Sequence, residues 1–161
     1  MAGTIFQAYD LRNTSITITL NGLSNAATQY STAVVNTGAT VYLDALVVAS
    51  CFIATTPTSD KAVYFYAYGT VDGGTTYTDG AAGTDERLAN GARNARLIGV
   101  LSVTSPNLVM RGGPWSVAEA FGGVLRERWG IGVVNSTGTY LSNANTNANT
   151  VTYQAVYAQY V

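Results

Sequence analysis

Between Pro114 and Asn135 the chain carries, in immediate succession, a helix start, a helix stop and a strand. Ser116 followed three residues later by Glu119 reads as a capping box, two side chains satisfying amides that a first helical turn leaves without partners. Gly122-Gly123 after Phe121 ends the helix after about two turns, because glycine enters the left-handed region at no steric cost. From Val124 the apolar period becomes two, with Trp129, Ile131 and Val133 on one face. One short helix, about 116–121, set between strands predicts a mostly-β domain.

The rest of the chain agrees. Ser15 to Leu20 alternates, with Ile16, Ile18 and Leu20 opposite threonines, and reads as a half-buried strand closed by Asn21-Gly22. Tyr30 to Val35 is a second strand. Val41 to Thr56 is the most apolar run; β-branched content and the flanking Gly38 and Pro57 favour a long central strand, bent near Ala49-Ser50, over a buried helix. In Ala62 to Val71, Val63, Phe65, Ala67 and Val71 take one face and Tyr64, Tyr66 and Tyr68 the other. That tyrosine row is either a packed second face or an exposed recognition surface, and aromatic cross-strand packing favours the first.

Asp72 to Arg96 is a long excursion of small residues, a length at which loops are functional or mobile. Leu97 to Val103, Leu108 to Arg111 and Val151 to Tyr160 follow as strands. A polar loop over Asn143 to Thr150 precedes the last, which puts Val151, Tyr153, Ala155 and Tyr157 on one face. About eight strands with turns at sandwich spacing predict an antiparallel β-sandwich or jelly roll. The domain runs over 15–161 with its loop at 72–96, and residues 1–14 form an N-terminal arm or an edge strand.

Charged residues are 11% of the chain and the net charge is −1, against about 25% charged in an ordinary soluble domain. Little electrostatic repulsion opposes self-association. A surface covered by neighbours is favoured over one kept soluble by hydroxyls and amides alone. Nucleic acid would want a basic face; Arg87, Arg93 and Arg96 sit close in sequence but beside Asp85 and Glu86, and read as a solvated loop. Cys51 is the one cysteine and reads as a buried core residue. Asp10 and Arg12 fall in the first fifteen residues, so no secretory signal is expected. Asp44 breaks the longest apolar stretch, which is too short to span a bilayer. Assembly in a cytoplasm, without a membrane, is the expectation.

The absence of histidine removes the commonest general base and metal ligand, and any Ser-His or Cys-His nucleophile. Asp60, Asp72, Asp79, Asp85 and Glu86 fall on loops or strand ends, with no spacing that sets two across a cleft. The Asp72 to Glu86 loop offers oxygens to calcium but its spacing matches no EF-hand or RTX repeat, and it reads as a solvated loop. No catalytic, metal or cofactor site is expected. What remains is surface, and eleven tyrosines and two tryptophans in so weakly charged a chain fit a binding role. Candidate contact residues are Ile5, Phe6, Tyr9 and Leu11 on the arm, Tyr64, Tyr66 and Tyr68 on the tyrosine strand, Tyr77, Arg87 and Arg93 on the long loop, and Trp115 beside the helix. Trp129, at a core-facing position, reads as structural.

Three stretches carry a family likeness: Ser116-Val-Ala-Glu-Ala-Phe-Gly-Gly-Val-Leu125, Trp129-Gly-Ile-Gly-Val-Val-Asn-Ser-Thr-Gly138 and Val151-Thr-Tyr-Gln-Ala-Val-Tyr157. Over roughly the last third the chain resembles tailed-bacteriophage structural proteins, especially capsid decoration (cement) proteins with a jelly-roll fold. The resemblance implies a non-enzymatic virion protein on the outer capsid surface. It would bind the major capsid protein and clamp neighbouring capsomers at a local two-fold or three-fold axis, self-associating as a dimer or trimer. The arm and the 72–96 loop are expected to carry the contacts, the arm by adding a strand to a neighbour. The alternatives are a tail or baseplate component, and a carbohydrate-binding module presenting Tyr64, Tyr66, Tyr68 and Trp115 to a surface glycan.

Overall fold

The first strand of the chain lies beside the last. In the computed structural model, which describes residues 3–89, 91–146 and 148–160, β1 (Ile5–Ser15) pairs antiparallel with β10 (Thr150–Tyr160). β10 then pairs with β4 (Asp44–Phe52), and β4 with β8 (Val109–Ser116), to complete one sheet, β1-β10-β4-β8. The second sheet is built on β2 (Thr28–Tyr30), β9 (Arg128–Ser136), β5 (Ala62–Thr70) and β7 (Arg96–Ser102), in the order β2-β9-β5-β7. Two-residue strands extend it: β6 (Glu86–Arg87) on β2 and β3 (Val34–Val35) on β9.

The pairs β1·β10, β2·β9, β4·β8 and β5·β7 are nested, as in one long antiparallel hairpin rolled into two layers. That nesting is the order of a jelly roll. The expected all-β sandwich of about eight principal strands is therefore what the chain forms. The stretch 1–14 supplies its edge strand, apart from Met1 and Ala2, which lie outside the described residues, as does Asn147 of the polar loop.

The inner faces interdigitate. Val47, Ala49 and Cys51 of β4, Val63 and Phe65 of β5, Trp129, Ile131 and Val133 of β9, and Ala155 of β10 are all buried. The Trp129 ring meets the Tyr153 ring edge-on at 5.3 Å, joining the two sheets across the core. Each buried Val, Ile or Phe among them contributes about 1.5–3 kcal/mol by leaving water. Burial pushes the Cys51 thiol pKa up to about 12, so it remains an inert thiol.

Several elements differ from expectation for identifiable reasons. Ser15 to Leu20 has the predicted facing, with Ile16 and Leu20 buried and Thr17 and Thr19 exposed, but beyond Ser15 it is a connector outside both sheets. Its Thr19 amide and hydroxyl are taken by the Asp85 carboxylate instead of by a neighbouring strand. The strand expected over Tyr30 to Val35 is split into β2 and β3. Between them the Ser31 hydroxyl accepts the Ile131 amide, a side chain replacing one rung of the ladder. The apolar run forms β4 over nine residues only, with Val41 and Leu43 outside it and exposed; its irregularity against β8 falls between Val47 and Ala49.

The helix is a single turn, α1 (Val117–Ala120), not two. Ser116 caps it as expected, its hydroxyl accepting the Glu119 amide. Gly122 and Gly123 stop it at φ +81° and +93°. The following strand begins at Arg128 rather than Val124, which is exposed. Val71, assigned to the core face, is also exposed, because β5 ends at Thr70.

Candidate interaction surface

The tyrosine strand separates into two parts. Tyr64 and Tyr66 are half-buried on the outer face of β5, but Tyr68 is fully buried, which corrects its assignment as a contact residue. The cause is the 72–96 excursion, which folds back over that end of the sheet. Tyr68 packs edge-on to Tyr30 at 4.9 Å and near Tyr77 at 5.7 Å, with Ala81 completing a second small core. Its hydroxyl donates to the Ser31 carbonyl. Tyr77 is buried in the same cluster and is likewise no contact residue. The long loop is a cover over a polar-rimmed aromatic core.

Asp79 holds that cover in place. Sitting at φ +60°, its carboxylate accepts the Asn94 amide at 2.9 Å, the Asn94 side chain at 2.7 Å, the Ala95 amide at 3.1 Å and the Tyr30 hydroxyl at 2.9 Å. Burial is the largest single influence and pushes its pKa up. The amide and hydroxyl donors together outweigh it, so the group is held below the ordinary aspartate range. The folded chain therefore resists protonation more than the unfolded one. Its stabilisation is complete above the unfolded pKa, about 3.9, and is lost as pH falls through the lower folded value. An Asp79→Asn variant should lie below the wild type in Tm at pH 6 and converge with it in strong acid; melting curves that stay parallel down to pH 2 would deny Asp79 this role.

Trp115 is not a free platform. It stacks on Phe65 at 5.0 Å and 29° and is partly buried against the main core. Its indole covers Gly99 of β7 so closely that a Cβ there would lie 2.2 Å from Cδ2. Of the four aromatics expected to face a sugar, Tyr68 is buried, while Tyr64, Tyr66 and Trp115 are each half-buried.

The loop carboxylates are occupied separately. Asp72 accepts the Thr75 and Thr76 amides, both at 3.0 Å, and the Thr70 hydroxyl, donors that hold its pKa far below the usual range. Asp85 takes Thr19 and Gln29, and Glu86 takes the Ala82 amide. Among the described residues no three His, Cys, Asp or Glu side chains converge as a metal site would need. Asn135 of the sequon Asn135-Ser136-Thr137 is fully buried, donating to the Leu23 and Thr139 carbonyls, so it is no acceptor for glycan in the folded chain.

What the fold leaves open is sheet surface. The outer face of the β1-β10-β4-β8 sheet carries two adjoining grooves of about 420 and 720 Å³ that share Leu46. Tyr9, Leu43, Val48 and Pro114 line them together with Arg12, Asp44 and Glu119, and Val48, Leu43 and Tyr9 are 41%, 52% and 51% exposed. Ile5 and Phe6 are 71% and 45% exposed at the start of β1; the Leu11 side chain lies outside the described residues. On the other sheet, Leu97 and Val100 of β7 stand exposed beside Tyr66 and Tyr64. Arg87 and Arg93 are exposed on the loop, Arg87 donating to the Gly22 carbonyl at 3.1 Å.

No family model, curated protein or solved structure matches the chain. The surface is thus defined by its own chemistry. Sequence reading found its β1 part but missed Leu43, Leu46 and Val48. Their signal was present: a run without alternation is apolar on both faces, and in a two-layer sandwich one of those faces meets solvent.

Proposed function

We propose that this chain is a non-enzymatic structural protein of a tailed-phage virion, binding the outer capsid surface and clamping neighbouring capsomers of the major capsid protein. The observation that carries this is the outer face of the β1-β10-β4-β8 sheet, where Tyr9, Leu43, Leu46 and Val48 stand along two shallow grooves bordered by Arg12, Asp44 and Glu119. Exposed apolar groups bordered by polar and charged ones suit a protein partner, since interfaces combine an apolar centre with a polar rim. Leu43, Val48 and Tyr9 all meet solvent on this sheet, and exposed apolar groups rimmed by polar ones mark interaction surfaces. The jelly roll and the family likeness of the last third agree with this role.

The test is co-sedimentation of the purified protein with expanded shells of its phage that lack it. The wild type should pellet in stoichiometric amounts. Val48→Lys, which places a charge in the middle of the face without touching the core, should reduce binding at least tenfold with an unchanged Tm. Wild type that stays in the supernatant at micromolar concentration, or Val48→Lys that binds undiminished, would overturn the assignment.

A further inference from the structure

The edges of the two sheets are not equally protected. Exposed strand edges invite pairing with another chain, and folded proteins blunt them with charge, proline, bulges or brevity. β8 ends one sheet with Arg111 and Pro114 and an irregular register. β6 has two residues, both charged. β7 opens with Arg96 and is bulged against β5 between Phe65 and Tyr66. The remaining edge is β1, whose first five residues, Ile5-Phe6-Gln7-Ala8-Tyr9, carry none of these devices. The register shift between Asp10 and Thr14, the positive φ of Asn13 and the Arg12 charge all come after them. The stretch is uncharged, is rich in residues of high β-propensity and, among the described residues, pairs only with β10.

The same five residues are self-complementary. In an antiparallel pair about a two-fold axis at Gln7, Ile5 faces Tyr9 of the second copy, Phe6 faces Ala8, and Gln7 faces Gln7. Each large side chain meets a complementary one: aliphatic on aromatic, large over small, amide against amide. Gln7 is exposed, its amide donating to the Tyr9 hydroxyl at 3.0 Å, so both side chains stand on the solvent side of the strand. We propose that β1 of two copies pair in this register to form an isologous dimer with one continuous eight-stranded sheet. A two-fold axis normal to the sheet keeps the faces in order. The outer faces of both copies then lie on one side of the joined sheet. The dimer extends the shell-binding face described above but does not depend on it, and it is tested without any shell.

The experiment is a charge swap at the axis, read by light scattering at about 50 μM. Wild type should have twice the 16.8 kDa chain mass. Gln7→Glu and Gln7→Lys each place like charges against themselves, and each should fall to half the wild-type mass while keeping the wild-type far-ultraviolet circular dichroism and a cooperative melting transition. Mixed one to one, the two variants should regain the dimer mass as a heterodimer. A monomeric wild type, a dimer that survives either substitution, or a mixture that stays monomeric would each overturn the proposal.

Discussion

Tyr68→Ala should cost the domain about 3–5 kcal/mol, the range for truncating a fully buried aromatic, whereas Tyr64→Ala and Tyr66→Ala should cost about 1 kcal/mol or less. The three residues share one strand and one face, so strand position alone predicts similar losses. The difference comes from the loop. Tyr68 fills the space between β5, Tyr30 and Tyr77, and its hydroxyl satisfies the Ser31 carbonyl. Its removal leaves a cavity and an unpaired buried acceptor, both of which add to the loss. Urea unfolding of the three variants measures the difference. Equal losses would mean that the 72–96 segment does not cover Tyr68 in solution.

Gly99→Val should be the second severe change, at about 3 kcal/mol, near the top of the usual cost of overpacking. Its Cβ would lie 2.2 Å from the Trp115 indole, which is also stacked on Phe65. The indole has to leave the sandwich, and its near-ultraviolet circular dichroism should change with it. Removing the obstruction in a Gly99→Val, Trp115→Ala double variant should make the glycine substitution nearly neutral. If valine is as costly without the tryptophan, backbone freedom at residue 99 matters rather than the close approach.

These two positions show where sequence reading stops. The alternation of β9 and β10 was legible because both strands are central and packed on one face by the opposite sheet. Ser116, Glu119 and the paired glycines announced α1 because capping is local chemistry, although only the packed structure sets its length at one turn. Alternation reports burial and not pairing, which is why Ile16, Ile18 and Leu20 looked like a strand while the Thr19 amide bonds a carboxylate sixty-six residues away. The cover over Tyr68 and the wedge of Trp115 over Gly99 are long-range contacts, and no local period encodes them. Of the candidate contact residues, Ile5, Phe6 and Tyr9 are exposed on the open β1 edge, Trp115 is half-buried against Phe65, and Tyr68 and Tyr77 belong to packing.

The pairing of Ile5 with Tyr160 has a mechanical consequence. Tension applied between those two residues loads β1 and β10 at one corner and pulls them apart like a zipper, breaking hydrogen bonds one after another. The same tension spread over the sheet face would load many bonds together. A domain with this wiring is weak when stretched between Ile5 and Tyr160 and stronger when the load enters through its sheet face.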